Sequence, residues 1–285
     1  MKIVSFNVNS LRQRLHQLQS VIDKHAAEFI GLQETKVQDD EFPLDAVSEM
    51  GYEVIYLGQK THYGVALLSR RASIKAWYGF PGDHDESQKR FIGGQYELDG
   101  DSIFIFNGYF PQGESRDHAV KFPAKRQFYQ DTIEFLGNYD MNQARLVIMG
   151  DYNIAPQDTD IGIGEENARR WLRTGKTSFL PEEREWFAQL TALGLHDGFR
   201  LCHADEDNCF SWFDYRSRGF ERAPKRGLRI DHLLVSELLK PSVVDAGVDY
   251  DIRAMEKPSD HAPTWIELEL NGAPDRSGGL AGSES

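Results

Sequence analysis

Eight short apolar runs set the terms on which this chain can fold. They are "KIVSF" from Lys2, "FIGLQ" from Phe29, "EVIYL" from Glu53, "VALLS" from Val65, "SIFIFN" from Ser102, "RLVIM" from Arg145, "RIDHLLVS" from Arg229 and "TWIELEL" from Thr264. Rich in Ile, Val and Phe and bounded by Gly, Pro or Asp-rich turns, they read as strands. Between them lie stretches with helical patterns: Leu11 to His25, with Leu11, Leu15, Leu18 and Ile22 on one face, Phe122 to Leu136, Ala168 to Leu172, and Pro181 to Leu193 opening on a proline. The mixture predicts an α/β (α+β) fold in which two packed sheets are covered by outer helices. At 285 residues and 40% hydrophobic content, the chain can bury a large core. No repeat or interior linker divides it, so residues 1–270 read as a single domain and the Gly- and Ser-rich 271–285 as a disordered tail.

Polar residues recur where these runs end. Asn7 follows "IVSF", Glu34 follows "FIGLQ", Tyr109 follows "IFIFNG", Asp151 and Asn153 follow "VIM", and Asp231 follows "LRI". Side chains just past strand ends can converge at one sheet edge, where many α/β proteins bind ligands. Taken singly, each Asp or Asn is an ordinary turn former. The segment "KPSDHAP" adds Asp260 and His261, a hard oxygen ligand beside a group that titrates near neutrality. Four carboxylates, two carboxamides and one histidine make a mostly oxygen set, matched to Mg²⁺ or Mn²⁺ better than to zinc. Cys202 and Cys209 are too few for a disulfide framework or a zinc site.

With 32 Lys and Arg against 45 Asp and Glu, the net charge is −13, so a polyanionic partner must be met by a local basic patch. Arg216 to Arg229 holds six basic residues and one acid, Arg169 to Lys176 holds four and none, and Lys121, Lys125 and Arg126 make a third cluster. A charge run is usually a solvated face. The first two flank Trp212 and Asp231 and read as phosphate contacts. "GKTS" at Gly175 is not a phosphate loop, because Arg170 stands where the earlier glycine is needed. No apolar run approaches the ~18 residues of a membrane span, and "MKIVSFNVNS" turns polar too early for a signal peptide. A cytosolic protein is expected.

The motifs "SFNVNSLR", "GLQETK", "NGYFPQGES", "MGDYNIAP", "FSWFDYRS", "GLRIDHLL" and "PSDHAP" occur in the order and spacing of the exonuclease III family of apurinic/apyrimidinic endonucleases. The chain resembles that family from Met1 to about Leu270. The resemblance implies a four-layer sandwich, two mixed β-sheets inside and helices outside, shared with DNase I and the inositol polyphosphate 5-phosphatases. It implies that Glu34 binds a divalent metal with Asp260 and Asn7 nearby, Asp151 and Asn153 being further candidate ligands. Asp151 would activate or orient the attacking water and Asn153 would fix that carboxylate. His261, held by Asp231, would contact the scissile phosphate, and Tyr109 would donate to a phosphate oxygen. In-line attack on a phosphodiester needs such groups: a positioned water, neutralised charge and a stabilised leaving oxygen.

Trp212 would be core in most proteins. By the resemblance it forms, with Leu228 and Ile230, an apolar wall for a base-free sugar, while Lys121, Lys176, Arg216, Lys225 and Arg226 grip DNA. The implied enzyme is a monomer that cleaves 5′ to abasic sites, degrades double-stranded DNA from nicks and 3′ ends, and removes 3′-blocking groups. The competing reading, a phosphoinositide or sphingomyelin phosphatase of the same superfamily, has no use for "FSWFDYR" or the basic segment after it. There are two departures from the family pattern. Asn9 stands where some relatives have Asp, and His232 follows Asp231 at a position that varies.

Overall fold

Strands β1 (Lys2–Asn7), β2 (Phe29–Gln33), β3 (Glu53–Leu57), β4 (Val65–Ser69), β5 (Lys75–Tyr78) and β6 (Phe91–Leu98) occupy the first part of the chain. They are followed by β7 (Asp101–Tyr109), β8 (Arg145–Asp151), β9 (Leu195–Asp197), β10 (Asp231–Ser236), β11 (Val243–Val248) and β12 (Thr264–Leu268). The computed structural model describes residues 1–98 and 100–270, so the tail expected at 271–285 lies outside the described residues. The strands form two six-stranded sheets, in the orders β11-β12-β1-β2-β4-β3 and β5-β6-β7-β8-β10-β9. Both are mixed, since β1 runs parallel to β2 and β7 parallel to β8 among antiparallel neighbours.

The helices are α1 (Leu11–His25), α2 (Leu44–Glu49), α3 (Lys121–Leu136), α4 (Glu165–Thr174), α5 (Pro181–Thr191), α6 (Gly198–Cys202) and α7 (Tyr250–Arg253). Ile3, Phe29, Leu67, Ile105, Val147, Leu233 and Ile266 meet between the sheets. Alternate residues turn outward: Val4, Ile30 and Leu68 pack under Leu11, Leu18 and Ile22 of α1, and Phe106, Ile148 and Leu234 pack with Tyr129 and Phe135 of α3 and Phe187 of α5. Helix, sheet, sheet and helix make the four layers. Strands buried on both faces, such as β1, β2, β4 and β8, read as continuous apolar runs, which made them visible in the sequence.

The strands β5, β6, β9 and β11 were not. In β6 the pair Gly93-Gly94 interrupts the pattern, yet a Cβ on Gly93 would lie 2.2 Å from the Phe106 ring. The glycine is there to let an aromatic neighbour lie flat on the strand. β9 is only three residues long, and β11 shifts register between Val243 and Asp245. The short helices α2, α6 and α7 also went unread, and α4 extends beyond the expected Ala168–Leu172 because its flanking turns are charged. Among the described residues no helix is long and apolar enough to cross a membrane.

A small polar cluster of Ser5, Gln33 and Asn107 is set into the layer between the sheets. Asn107 on β7 donates its amide to the carbonyls of Leu32 and Ala66, both at 2.9 Å, and accepts from Gln33 Nε2 at 2.6 Å. Such a buried amide persists only where its partners are in place, so it fixes how one sheet lies on the other.

Lys125, from the third basic cluster, lies neither on a solvated face nor where a phosphate reaches it. It is fully buried in α3, and its Nζ bonds Glu183 Oε1 at 2.5 Å and the Asn153 carbonyl at 2.8 Å. The other Glu183 oxygen accepts the N–H groups of Ser178 and Leu180, both at 2.8 Å. Burial lowers the Lys125 pKa and Glu183 opposes that shift. Removing one member strands the other charge, so Lys125→Met is expected to cost about 3–5 kcal/mol in urea unfolding. A loss below about 1 kcal/mol would mean that the pair does not hold α3, α5 and the Asn153 turn together.

Candidate active site

Three neighbouring strands bring polar residues to one level. Tyr109 at the end of β7 is in register with Asp151 at the end of β8, and Asp151 with Asp231. The sequence reading places Asp231 after a strand, but the structure has it open β10. Because β10 runs antiparallel to β8, the first residue of one lies beside the last of the other, and the same sheet edge results. Gly150 is required just before this row, since a Cβ there would lie 1.9 Å from the Gly108 carbonyl oxygen. Asn153 then adopts φ +53°, a left-handed turn that asparagine tolerates. The turn folds the Asn153 side chain back toward the carboxylate it follows.

Asp151 is held by amides. Its Oδ1 accepts the Asn153 backbone N–H at 2.9 Å, and its Oδ2 accepts Asn7 Nδ2 at 3.0 Å and Asn153 Nδ2 at 3.2 Å. Asn7 comes from β1, so this contact joins the two sheets. Its amide also reaches Glu34 Oε1 at 3.1 Å, and its own oxygen accepts the Asn9 N–H at 3.0 Å. Asn7 therefore orients two carboxylates, and its amide oxygen, engaged by the single Asn9 N–H, keeps a second lone pair for a ligand.

His261 Nδ1 lies 2.8 Å from Asp231 Oδ2, which also accepts Ser211 Oγ at 2.6 Å. Its Nε2 lies 3.8 Å from Asp151 Oδ2. Burial alone would lower the His261 pKa, but Asp231 and Asp151 outweigh it and hold the imidazole at about 10. Burial also pushes Asp151 up to about 7, with Asp231 and Glu34 adding to the rise and His261 and Asn7 opposing it. The two shifts separate the roles available at neutral pH: His261 is a cation, and Asp151 is the group able to take up a proton.

The other side of the cavity is a chain of polar contacts. Lys36 Nζ lies 2.7 Å from Glu34 Oε2 and 2.6 Å from Asn9 Oδ1. Asn9 Nδ2 donates to Asp260 Oδ1 at 2.9 Å, and Asp260 Oδ2 accepts Trp212 Nε1 at 3.1 Å. Asparagine at position 9 thus has a physical reason, since an ionised Asp would have no hydrogen to offer Asp260 and would repel it. His232, the other departure, is buried away from the cavity, where its Nδ1 accepts from Arg229 and its Nε2 meets the Ile154 carbonyl. Arginine only donates, so this fixes the tautomer.

Burial raises the Tyr109 pKa well above 10 and Glu34 adds to the rise, so the phenol stays a donor. Arg90 stacks on the Tyr109 ring at 4.4 Å and on Tyr63 at 4.1 Å. Nothing in the sequence singles out Arg90, whereas Ser211 and Lys36 lie inside motifs without standing out as functional.

Glu34, Tyr109, Asp151, Asn153, Asp260 and His261 line one cavity of about 190 Å³, walled by Trp171, Lys176, Trp212 and Ile230. Its carboxylates are hard oxygen donors, a set that fits a divalent cation held by Glu34 and Asp260 with Asp151 at hand. The ligand atoms of Asp151, Asp231 and His261 lie within 4.8 Å of one another. That trio is an ion-paired relay, because His261 Nδ1 is already committed to Asp231.

Not every expected DNA contact faces this cavity. Leu228 is 1% exposed and packs with Ile163 and Phe179 behind the wall, which corrects its place on it. Lys225 turns its Nζ to the Phe220 carbonyl at 2.9 Å. Lys121 pairs with Glu114 at the surface at 2.5 Å, Arg216 is exposed, and Arg226 lines a neighbouring cavity.

Comparison with known proteins agrees with this geometry. Residues 4–261 match the model of the Endonuclease/Exonuclease/phosphatase family. Exodeoxyribonuclease III of Haemophilus influenzae is 52% identical over 94% of this chain and 100% of its own length. An exodeoxyribonuclease of Bacillus subtilis is 29% identical over 95% of this chain and 100% of its own. The Neisseria 3′ phosphatase NExo bound to a product DNA hairpin superposes with a TM-score of 0.86 at 37% identity, covering 95% of this chain and 100% of that one. The fold and the shared length agree, and the chain belongs to the endonuclease/exonuclease/phosphatase family, in its exodeoxyribonuclease III branch.

Proposed function

We propose that residues 1–270 act as a single-domain, monomeric phosphodiesterase of DNA repair that uses Mg²⁺ or Mn²⁺. Its substrates are double-stranded DNA with abasic sites, nicks or 3′ ends. It cleaves 5′ to the abasic sugar, degrades 3′ ends and removes 3′-blocking groups. The observation that carries this reading is the row Tyr109, Asp151 and Asp231 in register across β7, β8 and β10, facing His261 and the carboxylates of the second sheet.

In this reading Asp151, oriented by Asn7 and Asn153, takes a proton from the attacking water as its oxygen bonds to phosphorus and the bond to the leaving O3′ breaks. His261, held as an imidazolium by Asp231, and the Tyr109 phenol donate to the phosphate oxygens that gain charge. A metal bound by Glu34 and Asp260 would neutralise charge on the phosphate and leaving oxygen. Trp212, with Trp171 and Ile230, walls the space where a base-free sugar fits, and Lys176, Arg216 and Arg226 meet phosphates. The 52% identity to an exodeoxyribonuclease III supports this reading over a lipid phosphatase. Rates on an abasic duplex, a blunt duplex, a 3′-phosphate end and a phosphoinositide vesicle test it, and turnover of the vesicle alone would reverse the choice.

Trp212 is half-buried and lines two cavities, so it is a wall more than a core residue. Trp212→Ala is expected to lower cleavage at abasic sites by roughly 10- to 200-fold, the scale of a lost apolar contact to substrate, and to lower 3′-phosphate removal much less. Equal losses on both substrates with a large fall in melting temperature would assign the ring to the core.

A further inference from the structure

The turn after β8 holds the Asn153 amide against Asp151, and Asn153 does so at φ +53°, a conformation that a non-glycine residue keeps only where its surroundings overdetermine it. Three successive carbonyls supply that constraint. Tyr152 O accepts the Tyr129 hydroxyl at 2.8 Å, Asn153 O accepts Lys125 Nζ at 2.8 Å, and Ile154 O meets His232 Nε2 at 2.9 Å. The first two donors come from α3. His232 comes from β10, the strand that Asp231 opens.

Successive residues of a strand face opposite sides of the sheet. Asp231 turns to His261, and its neighbour His232, 1% exposed, turns behind the site. His232 Nδ1 lies 3.0 Å from Arg229 Nη1, while Asp197 Oδ2, farther off at 3.5 Å, already accepts Arg229 Nη2 at 2.7 Å. The ring hydrogen is thus on Nε2, aimed at the Ile154 carbonyl. Arg229 is anchored in turn by Asp160 Oδ1 at 2.7 Å, and the imidazole stands edge-on to Tyr152, with centroids 5.4 Å apart. Ring and donor are therefore fixed by buried neighbours.

We propose that His232 is a positioning residue for the hydrolytic step, tying the Asn153 turn to the strand of Asp231 so that Asp151 and the Asp231–His261 pair keep one geometry. The proposal rests on the function proposed above. Without the Nε2 hydrogen the buried Ile154 carbonyl is left unpaired, and the turn shifts to satisfy it. Asn153 shifts with it, and that one residue supplies both the N–H and the Nδ2 that hold Asp151, at 2.9 and 3.2 Å. A reacting group displaced by about 1 Å can cost on the order of 10²-fold in rate. Trp212, Glu34 and Asp260 lie on other segments, so substrate and metal binding are spared.

The test measures the single-turnover rate on an abasic duplex in Mg²⁺, together with the enzyme concentration that half-saturates it. His232→Phe keeps a ring against Tyr152 and Phe187 but has no donor, whereas His232→Gln offers a donor and an acceptor. At a temperature where circular dichroism shows it folded, the Phe variant is expected to lose roughly 10- to 100-fold in rate with half-saturation unchanged. The Gln variant should recover most of that loss. Placed on Asn153→Ala, His232→Phe should cost little more, because both changes release the same carboxylate and such effects do not add. A Phe variant with the wild-type rate, equal rates for Phe and Gln, or full additivity with Asn153→Ala overturns the positioning role alone. Should the Phe variant not fold, His232→Met against His232→Gln makes the same comparison. If the wild-type protein leaves the duplex uncleaved, the proposed function falls and takes the positioning role with it.

Discussion

Replacing Asp151 by asparagine is expected to lower turnover by on the order of 10²- to 10⁴-fold, the range for a lost general base, with DNA binding retained. The substitution keeps shape and volume but removes the group that accepts the proton, and no neighbour can replace it. His261 is already protonated, with a pKa near 10, and Asp231 is occupied by His261 and Ser211. In the wild type, kcat/KM should rise with pH as Asp151 ionises; the metal-free carboxyl titrates at about 7, and a bound cation moves that rise to lower pH. The variant should lack that rise.

Stability should move in the opposite direction. Burial places the folded-state pKa of Asp151 at about 7, above the ordinary 3.8, so the folded protein binds that proton more tightly than the unfolded chain does. Ionisation then removes stability as pH climbs from 3.8 through 7. Asparagine has no such loss. In chelator, the melting temperature of Asp151→Asn relative to wild type should therefore increase between pH 5 and pH 8. Turnover within tenfold of wild type would remove Asp151 as the base.

Chelation is expected to abolish activity, and Mg²⁺ or Mn²⁺ to restore it. Glu34, Asp151, Asp231 and Asp260 crowd one edge with Lys36 and His261 as the nearby cations, and a doubly charged ion offsets the excess. The same ion should raise stability by about 2.7 kcal/mol at a hundredfold excess over its dissociation constant. Thermal shift thus reports binding without catalysis. Glu34→Gln should lose much of that shift. Full activity in excess chelator would rule out the metal reading.

Much of the site was legible because a carboxylate or amide after an apolar run stands out locally. Asp151 and Asn153 after β8, and Glu34 after β2, are of this kind. Asp231 was legible as a residue but not as a position, since the edge of a strand reads the same from either end until its direction is known. Lys121 and Lys125 show where local reading stops. Spaced four apart, they lie near one face of α3, yet the first pairs at the surface and the second is buried against α5. Depth within a helix face depends on what packs against it, and that is set by distant segments. Arg90 was missed for the same reason, because its partners Tyr63 and Tyr109 are brought to it by three separate strands and loops. The twin glycines of β6 concealed a strand whose partner supplies the missing bulk.

The sheet order has a consequence for how such a protein is made. β1 lies between β2 and β12, and the polar set runs from Asn7 to His261, so the first strand synthesised must wait for the last before the site closes. A growing chain on the ribosome carries Glu34 and Asp151 long before it carries Asp260 and His261. An incomplete molecule therefore holds acids but neither the His261 imidazolium that pairs with Asp231 nor the Asp260 carboxylate. The cavity that gathers these side chains is therefore complete only once nearly the whole domain has emerged and folded.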